Sequence, residues 1–233
     1  MNSADPSQAP YPSPQHALGQ ASKRRILCNE SHFRIYHESV IQDEQHSRFY
    51  HFPNDAFVFL LAGQAYLSDA DVGTALNQYQ GAWIKPNRAH KLVLLSPSVE
   101  LLLVAYQGNL APCANEHYLM NQSSKSKIEN NESINRQTIS HIESLSIDLE
   151  TYPENEAEHL HYHRQSRQFI MSLKGDFNLL IDKKEVLLEK FDWALVNEKQ
   201  RHRLKNLNQG TSQCLSIYSP PPAKDRVLVI KKK

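Results

Sequence analysis

The chain has 233 residues, of which 40% are hydrophobic and 22% are charged, and its formal net charge at pH 7 is +1. This length makes one large or two small domains, and the apolar content is sufficient to bury a real core. A net charge so close to zero disfavours general binding to nucleic acid or to membrane surfaces.

The chain shows no sequence signal for secretion or membrane insertion. No apolar run approaches the roughly eighteen residues that span a bilayer, and the first residues lack the basic and apolar segments of a signal peptide. Cys28, Cys113 and Cys214 are odd in number and scattered, so we expect reduced thiols rather than a disulfide framework. These features predict a cytoplasmic protein.

The first half of the chain predicts an arm, a β-rich domain and a linker. Residues 1–23 are rich in Pro, Ser, Gln and Ala, which is typical of a disordered arm. Residues 24–118 form the first predicted domain, and its strands are predicted at Phe33–Tyr36, Ala56–Leu61, Ala82–Ile84 and Leu101–Tyr106. The polar residues 119–140 are predicted to be a linker, and a short helix is possible near residues 115–121.

The second half, residues 141–230, has the same β spacing. Apolar and polar residues alternate over Ile142–Leu149, as in a half-buried strand. Further strands are predicted at Phe169–Leu173, Phe177–Ile181, Glu185–Leu188, Trp193–Val196 and Cys214–Tyr218. The prolines at 220–222 are expected to end the last strand, because proline cannot donate to a ladder. The predicted fold class is therefore all-β.

Three histidines in this second domain are typical of a metal site. His161 and His163 are two residues apart, so on a strand both imidazoles lie on one face. His202 follows a turn, an apolar strand and a second turn, a pattern that could return it to the first pair. Three imidazoles around one point suit iron, zinc, copper or nickel.

The spacing of these residues resembles the cupin family, whose first motif is H-x-H followed by E and G, and whose second motif ends in H and N. The corresponding residues here are His161, His163, Gln168, Gly175, His202 and Asn206. Gln168 replaces the glutamate of the family, and Phe191, Asn197 and Lys199 replace a glycine, a proline and a glycine. The resemblance implies cupin double-stranded β-helix (jelly-roll) barrels with a divalent metal inside the second.

Comparing the chain with itself at a spacing of 112 residues indicates a duplication. The identical pairs are Tyr50/Tyr162, His51/His163, Phe57/Phe169, Leu61/Leu173, Gly63/Gly175, Leu67/Leu179, Leu76/Leu188, Ala82/Ala194, His90/His202, Leu92/Leu204, Leu95/Leu207, Leu103/Leu215 and Tyr106/Tyr218. Chance would give roughly four. The pattern predicts two barrels in tandem, a bicupin.

The first copy is predicted to be degenerate. In the ungapped comparison Phe49 takes the place of His161 and Ala56 that of Gln168, which leaves only His51 and His90 as candidate ligands. Two imidazoles seldom hold a metal without further ligands. We therefore expect a metal-free N-terminal domain, with a structural role favoured over ligand binding.

Gln168 and His159 are the candidate catalytic residues. A neutral amide oxygen is a poorer ligand than a carboxylate, so Gln168 could either coordinate the metal or hydrogen-bond to substrate or water. His159 is expected near the entrance of the site, whereas Glu156 and Glu158 beside it are expected to be solvated. A metal held by neutral ligands keeps its full charge, which favours an anionic substrate.

The resemblance implies a metal-dependent cupin enzyme acting on a small, anionic molecule. Dioxygenase-type chemistry at a three-histidine centre is the first expectation, with iron as the first choice of metal and zinc, manganese, nickel or copper as alternatives. A cupin isomerase or lyase is one alternative. A non-enzymatic ligand-binding or sensory cupin is another, because the first copy is similar to the ligand-binding domains of AraC-type regulators. The expected partners are a small-molecule substrate and a second copy in a homodimer, with no nucleic acid and no membrane.

Overall fold

The computed structural model describes residues 15–17, 22–30, 33–42, 47–69, 72–106, 133–222 and 225–229. Strands, turns and irregular segments account for all of these residues, so the described part of the chain is all-β, as predicted. They divide into two compact units, one within residues 15–106 and the other within residues 133–229. Among the described residues there is no helix long and apolar enough to cross a bilayer.

The N-terminal unit consists of two antiparallel sheets. Its strands are β1 Gln15–Ala17, β2 Lys23–Asn29, β3 Phe33–Ile41, β4 Ser47–Tyr50, β5 Ala56–Ala62, β6 Ala65–Ser68, β7 Gly73–Leu76, β8 Gly81–Ile84, β9 His90–Leu94 and β10 Ser98–Tyr106. One sheet has the order β1-β2-β3-β10-β5-β8 and the other β4-β9-β6-β7. Aliphatic side chains such as Val58, Leu60 and Leu92 pack between the sheets as a buried core.

The C-terminal unit repeats this plan with ten further strands. They are β11 Asn135–Ile142, β12 Leu145–Tyr152, β13 His161–His163, β14 Arg167–Lys174, β15 Phe177–Ile181, β16 Lys184–Leu188, β17 Trp193–Val196, β18 His202–Asn206, β19 Ser212–Ser219 and β20 Arg226–Leu228. The sheet orders are β11-β12-β19-β14-β17 and β16-β15-β18-β13-β20. Buried residues of both sheets, including Tyr152, Ile170, Phe177 and Leu204, form its core.

The alternation of strand side chains determines which residues face that core. Leu204 and Ile170 belong to the core cluster, and His202 and Gln168 lie two residues before them on the same strands. Because strand side chains alternate with period two, His202 and Gln168 share the inner face. The same rule places Ser216 and Tyr218 of β19 on the inner face with Cys214.

The structure differs from the sequence predictions in four features. The strand β11 begins at Asn135, so the predicted linker 119–140 is too long, and a turn after Ile142 interrupts the predicted strand Ile142–Leu149. In the predicted arm, Gln15–Ala17 pairs with β2. The prolines at 220–222 follow β19 but do not end the last strand, because β20 lies beyond them. The rest of the arm, most of the linker and the possible helix near residues 115–121 lie outside the described residues.

Candidate metal centre

Strand pairing brings the three predicted histidines together. His161 of β13 lies directly opposite His202 of β18, and His163 is on the same face of β13. Their candidate ligand atoms all lie within 4.8 Å of one another. The side chains are almost fully buried, at 1%, 2% and 0% exposure for His161, His163 and His202. The imidazoles predicted from spacing therefore form one cluster inside the C-terminal unit.

Backbone carbonyls orient two of the three rings. The Nδ1 of His161 is 2.9 Å from the carbonyl oxygen of His159, and the Nδ1 of His202 is 2.9 Å from that of Gln200. A carbonyl oxygen only accepts, so in each ring Nδ1 carries the proton. The neutral ring then has an unprotonated Nε2, which is the form that ligates a metal.

The histidines are held in that neutral form. Burial lowers the pKa of His161 well below its ordinary value, and it also lowers the pKa of His202. Burial and the neighbouring His202 lower the pKa of His163 to about 4. Three neutral imidazoles are therefore available at neutral pH without proton loss on metal binding.

The side-chain oxygen of Gln168 and the Nε2 of His202 face each other in an arrangement that suits a bound cation. Its Nε2 donates to Ser216 Oγ at 3.2 Å and to Tyr218 OH at 3.0 Å, which leaves its Oε1 3.0 Å from His202 Nε2. The amide orientation follows from this network, because Tyr218 OH donates onward to Glu150 and can only accept from Gln168. Two acceptor atoms then face each other with no proton between them. A metal ion at this point would attract both lone pairs, so the donor set fits a divalent cation.

Beneath Gln168 lies a buried set of charged and phenolic groups that the sequence analysis missed. The Glu150 carboxylate accepts hydrogen bonds from Tyr218 OH at 2.9 Å and from Tyr152 OH at 2.8 Å. Arg136 lies between Glu150, at 3.6 Å, and Glu158, at 2.8 Å. The sequence did contain a signal for two of these residues, because Arg136 and Glu150 are identical to Arg24 and Glu38 at the 112-residue spacing.

Glu158 is not the solvated carboxylate that was expected. It is 4% exposed, and its Oε2 accepts from the backbone N–H of Leu204 at 3.0 Å. Burial raises the pKa of Glu158, but His161, Arg136 and Arg226 together hold it below its ordinary value. Glu158 therefore remains a charged partner for the two arginines rather than a proton donor.

Asp148 is a second buried acid that the sequence did not single out. It lies opposite Ser216 in the pairing of β12 with β19, and Ser146 Oγ donates to its carboxylate at 3.1 Å. Burial, with a contribution from the charge of Glu150, raises the pKa of Asp148 to about 6. Asp148 can thus gain or lose a proton near neutral pH on the inner face that holds Gln168.

The remaining predicted residues lie at the edge of the cluster. His159 is exposed, and its carbonyl orients His161, while its catalytic role stays a prediction. Asn206 is fully buried at the end of β18. Its Nδ2 donates to the carbonyls of Pro153 and Gly210, each at 2.7 Å.

In the N-terminal unit, the strand pairing shows that the ungapped comparison is wrong by one residue at β4. Tyr50, not Phe49, lies opposite His90, as His161 lies opposite His202, because the chain from Tyr50 to Ala56 is one residue shorter than the chain from His161 to Gln168. Tyr50 and Phe52 thus take the places of His161 and His163, and their rings stack at 6.4 Å. The predicted ligand His51 is exposed, and Phe49 is 70% exposed.

His90 is also unsuited to a metal. Its Nε2 accepts from the backbone N–H of Lys85 at 3.4 Å, and its Nδ1 is 3.2 Å from the carbonyl of Arg88. Both ring nitrogens therefore have backbone partners. Among the described residues, the group of three clustered ligands is the one formed by His161, His163 and His202.

Comparison with known proteins agrees with this architecture. Residues 148–218 match the cupin domain model. No curated protein sequence matches the chain. Among solved structures, the chain is similar to a cupin 2 conserved barrel domain protein from Leptotrichia buccalis, with a TM-score of 0.63 and 12% identity over 88% of this chain and 91% of that chain.

Two oxalate decarboxylases have the same fold over more of the chain. The formate complex from Lactobacillus farciminis has a TM-score of 0.71 and 9% identity, covering 98% of this chain and 90% of that chain. The enzyme from Bacillus subtilis, described with Mn(II) centres, has a TM-score of 0.70 and 10% identity over 95% and 78%. The chain thus contains a match to the cupin domain over residues 148–218 and has the fold of these structures, and its three-histidine cluster supports a divalent-metal site.

Proposed function

We propose that the C-terminal unit is the active site of a metal-dependent enzyme that acts on a small anionic molecule, with dioxygenase-type chemistry as its leading reaction. The observation that supports this proposal most directly is the buried cluster of His161, His163 and His202. Its imidazoles are neutral, and two of them are oriented by backbone carbonyls. Such a cluster has the ligand type and the orientation that a catalytic metal requires.

The charges around the cluster favour an anionic substrate. Glu150 and Glu158 balance the positive charges of Arg136 and Arg226. The histidines and Gln168 are neutral, so no candidate ligand cancels the charge of a bound cation by direct coordination. A substrate carboxylate or enolate would supply the missing negative charge.

Several residues can assist the reaction. A divalent metal held there would supply Lewis acidity and, in the case of iron, redox chemistry with dioxygen. Tyr218 and Ser216 hold the Gln168 amide in one orientation. Asp148, with its pKa raised by burial to about 6, can accept and release a proton near neutral pH.

A carbon–carbon lyase is the second candidate, because the oxalate decarboxylases share the fold over nearly the whole chain. The two reactions differ in their oxygen balance. A dioxygenase inserts both atoms of O₂ into its product, whereas a decarboxylase releases CO₂ with no net uptake of O₂. Measuring O₂ uptake and CO₂ release with a panel of small carboxylates, oxalate included, separates them.

The first test is the metal content of the freshly purified protein by plasma mass spectrometry. We expect about one iron, zinc, manganese, nickel or copper ion per chain. The double variant H161A/H163A should lose this metal, whereas the control variant H141A should keep it, because His141 is exposed on β11. If the wild-type protein holds no metal even after incubation with each ion, the proposal is wrong and a ligand-binding cupin becomes the better hypothesis.

A further inference from the structure

His163 differs from the other two histidines in how its Nδ1 is held. The Nδ1 atoms of His161 and His202 each lie 2.9 Å from a backbone carbonyl two residues earlier in the chain. Neither ring nitrogen of His163 has a hydrogen-bond partner, although the residue is only 2% exposed. Burying an imidazole N–H without a partner is unfavourable, so the ring requires another group to orient it.

The acidic group beside this ring is Asp225. Its Oδ2 lies 3.9 Å from the Nδ1 of His163. It comes from the C-terminal segment of the chain, because β20 pairs with β13 and places Arg226 directly opposite His163. The carboxylate is thereby brought to the end of the strand that carries the histidine pair.

Three backbone N–H groups hold the Asp225 carboxylate in place. Its oxygens accept from Arg164 N at 3.0 Å, from Gln165 N at 3.0 and 3.1 Å and from Ser166 N at 2.8 Å. Burial raises the pKa of Asp225, but the bonds from Ser166 and Gln165 lower it below its ordinary value. The group is therefore a fixed anion next to the ring.

We propose that Asp225 is the positioning residue of His163, and that the negative charge of its carboxylate, 3.9 Å away, favours the proton on Nδ1 so that Nε2 presents its lone pair to a cation. This inference rests on the proposed metal site. A carboxylate behind a ligating histidine fixes its tautomer and its ring orientation and raises its basicity. In this chain, Asp225 would then orient the ring of His163, as the backbone carbonyls of His159 and Gln200 orient the rings of His161 and His202.

The test compares the Co²⁺ affinity of D225N with that of the wild type in the full-length, metal-free chain. Asparagine keeps an oxygen that can accept from the 164–166 backbone but removes the negative charge. We expect D225N to lose roughly 10–100-fold in Co²⁺ affinity, measured by competition with a chelator of known affinity. The visible spectrum of bound Co²⁺ should also change, because the orientation of one ligand changes.

The control variant is D192N. The Asp192 carboxylate also accepts a backbone N–H, that of Glu189 at 3.1 Å, but it does so in a turn before β17. D192N should leave the Co²⁺ affinity within about twofold of the wild type. Unfolding curves of both metal-free variants report any loss of loop anchoring separately from loss of affinity.

A second measurement does not depend on how the variant folds. Two-dimensional ¹H–¹⁵N spectra of the imidazole nitrogens in the metal-free wild type report the tautomer of His163, assigned by its absence in H163Q. The proposal expects the Nδ1–H tautomer, and a dominant Nε2–H tautomer would overturn it. Unchanged affinity in D225N would also overturn it, whereas a wild type that binds no Co²⁺ overturns the proposed metal function itself.

Discussion

Gln168 sets the charge of the candidate metal centre, because it stands where the cupin motif has a glutamate. Its Oε1 faces the Nε2 of His202 at 3.0 Å, and its Nε2 is committed to Ser216 and Tyr218. A carboxylate here would cancel half the charge of a divalent cation, whereas the amide cancels none. The residue thus combines two properties: it can offer an oxygen to the metal, and it leaves the cation electrophilic.

The variant Q168E should bind metal more tightly and be less stable without it. A glutamate cannot donate to Tyr218 and Ser216, and its buried charge has no cation beside it when the metal is absent. We expect the free energy of unfolding of the metal-free protein to fall by about 1–3 kcal/mol. We also expect at least a tenfold gain in Co²⁺ affinity, measured by chelator competition. Equal affinity in Q168E and the wild type would show that position 168 does not contact the ion.

The buried acid Asp148 should make stability depend on pH. Its folded pKa, about 6, is raised above the ordinary value of an aspartate, so the folded state binds the proton more tightly than the unfolded state. Its contribution to stability is therefore fully present at low pH and is lost as pH rises from about 4 through 6. Relative to D148N, the wild type should gain on the order of 2 kcal/mol between pH 7.5 and pH 4.5. Urea unfolding at several pH values checks this, and a constant difference between the two proteins would contradict it.

At the scale of elements, the end of β18 connects the histidine cluster to the following turn. Asn206 closes this strand, and its Oδ1 accepts from Asn208 N at 2.9 Å and from Ser212 Oγ at 2.7 Å. Because the side chain is fully buried, each of these partners depends on it. The strand that carries His202 at its start is therefore anchored at its other end by one amide.

The variant N206A should destabilise the protein by about 2–4 kcal/mol, because it leaves several buried backbone and hydroxyl groups without partners. The measurement is urea unfolding of the metal-free chain. N178A serves as the control, because Asn178 makes an exposed side-chain bond to Glu185 at 3.2 Å, and it should change stability by less than about 0.5 kcal/mol. If N206A loses no more unfolding free energy than N178A, Asn206 does not anchor the end of β18.

At the scale of the whole molecule, duplication has kept the fold of each unit and changed its interior. Arg136 and Glu150 have counterparts in Arg24 and Glu38, which form an ion pair inside the N-terminal unit. There Tyr50 takes the place of a histidine and donates to Glu38 at 2.6 Å. Aliphatic side chains fill the rest of that interior. The ion pair thus occurs with and without the histidines, which indicates a role in folding rather than in catalysis.

This difference between the units predicts one metal ion per chain. The double variant H51A/H90A should keep the full metal content, because His51 is exposed and both ring nitrogens of His90 have backbone partners. Plasma mass spectrometry of this variant beside the wild type checks the prediction. A drop to half the metal content would show that the N-terminal unit also binds an ion.

Most strand positions could be predicted from the sequence, whereas only some of the residues in the candidate metal centre could be. Phe177–Ile181 and Trp193–Val196 have the bounds predicted from alternation and turn residues, because these signals are local. The start of β11 at Asn135 was missed, because its polar residues resemble a linker and become a strand by pairing with β12. The one-residue shift at Tyr50 was missed as well, because an ungapped comparison cannot detect a shorter loop.

The sequence by itself determined the all-β class, the duplication and the identity of the three histidines, since period-two alternation and motif spacing are properties of neighbouring residues. The tertiary structure alone decided what surrounds those histidines. Glu150 and Tyr218 lie on strands, and Asp225 lies just before one, that pair across long stretches of sequence. No local pattern marks such residues, because their chemistry depends on the burial and the partners that the completed fold provides.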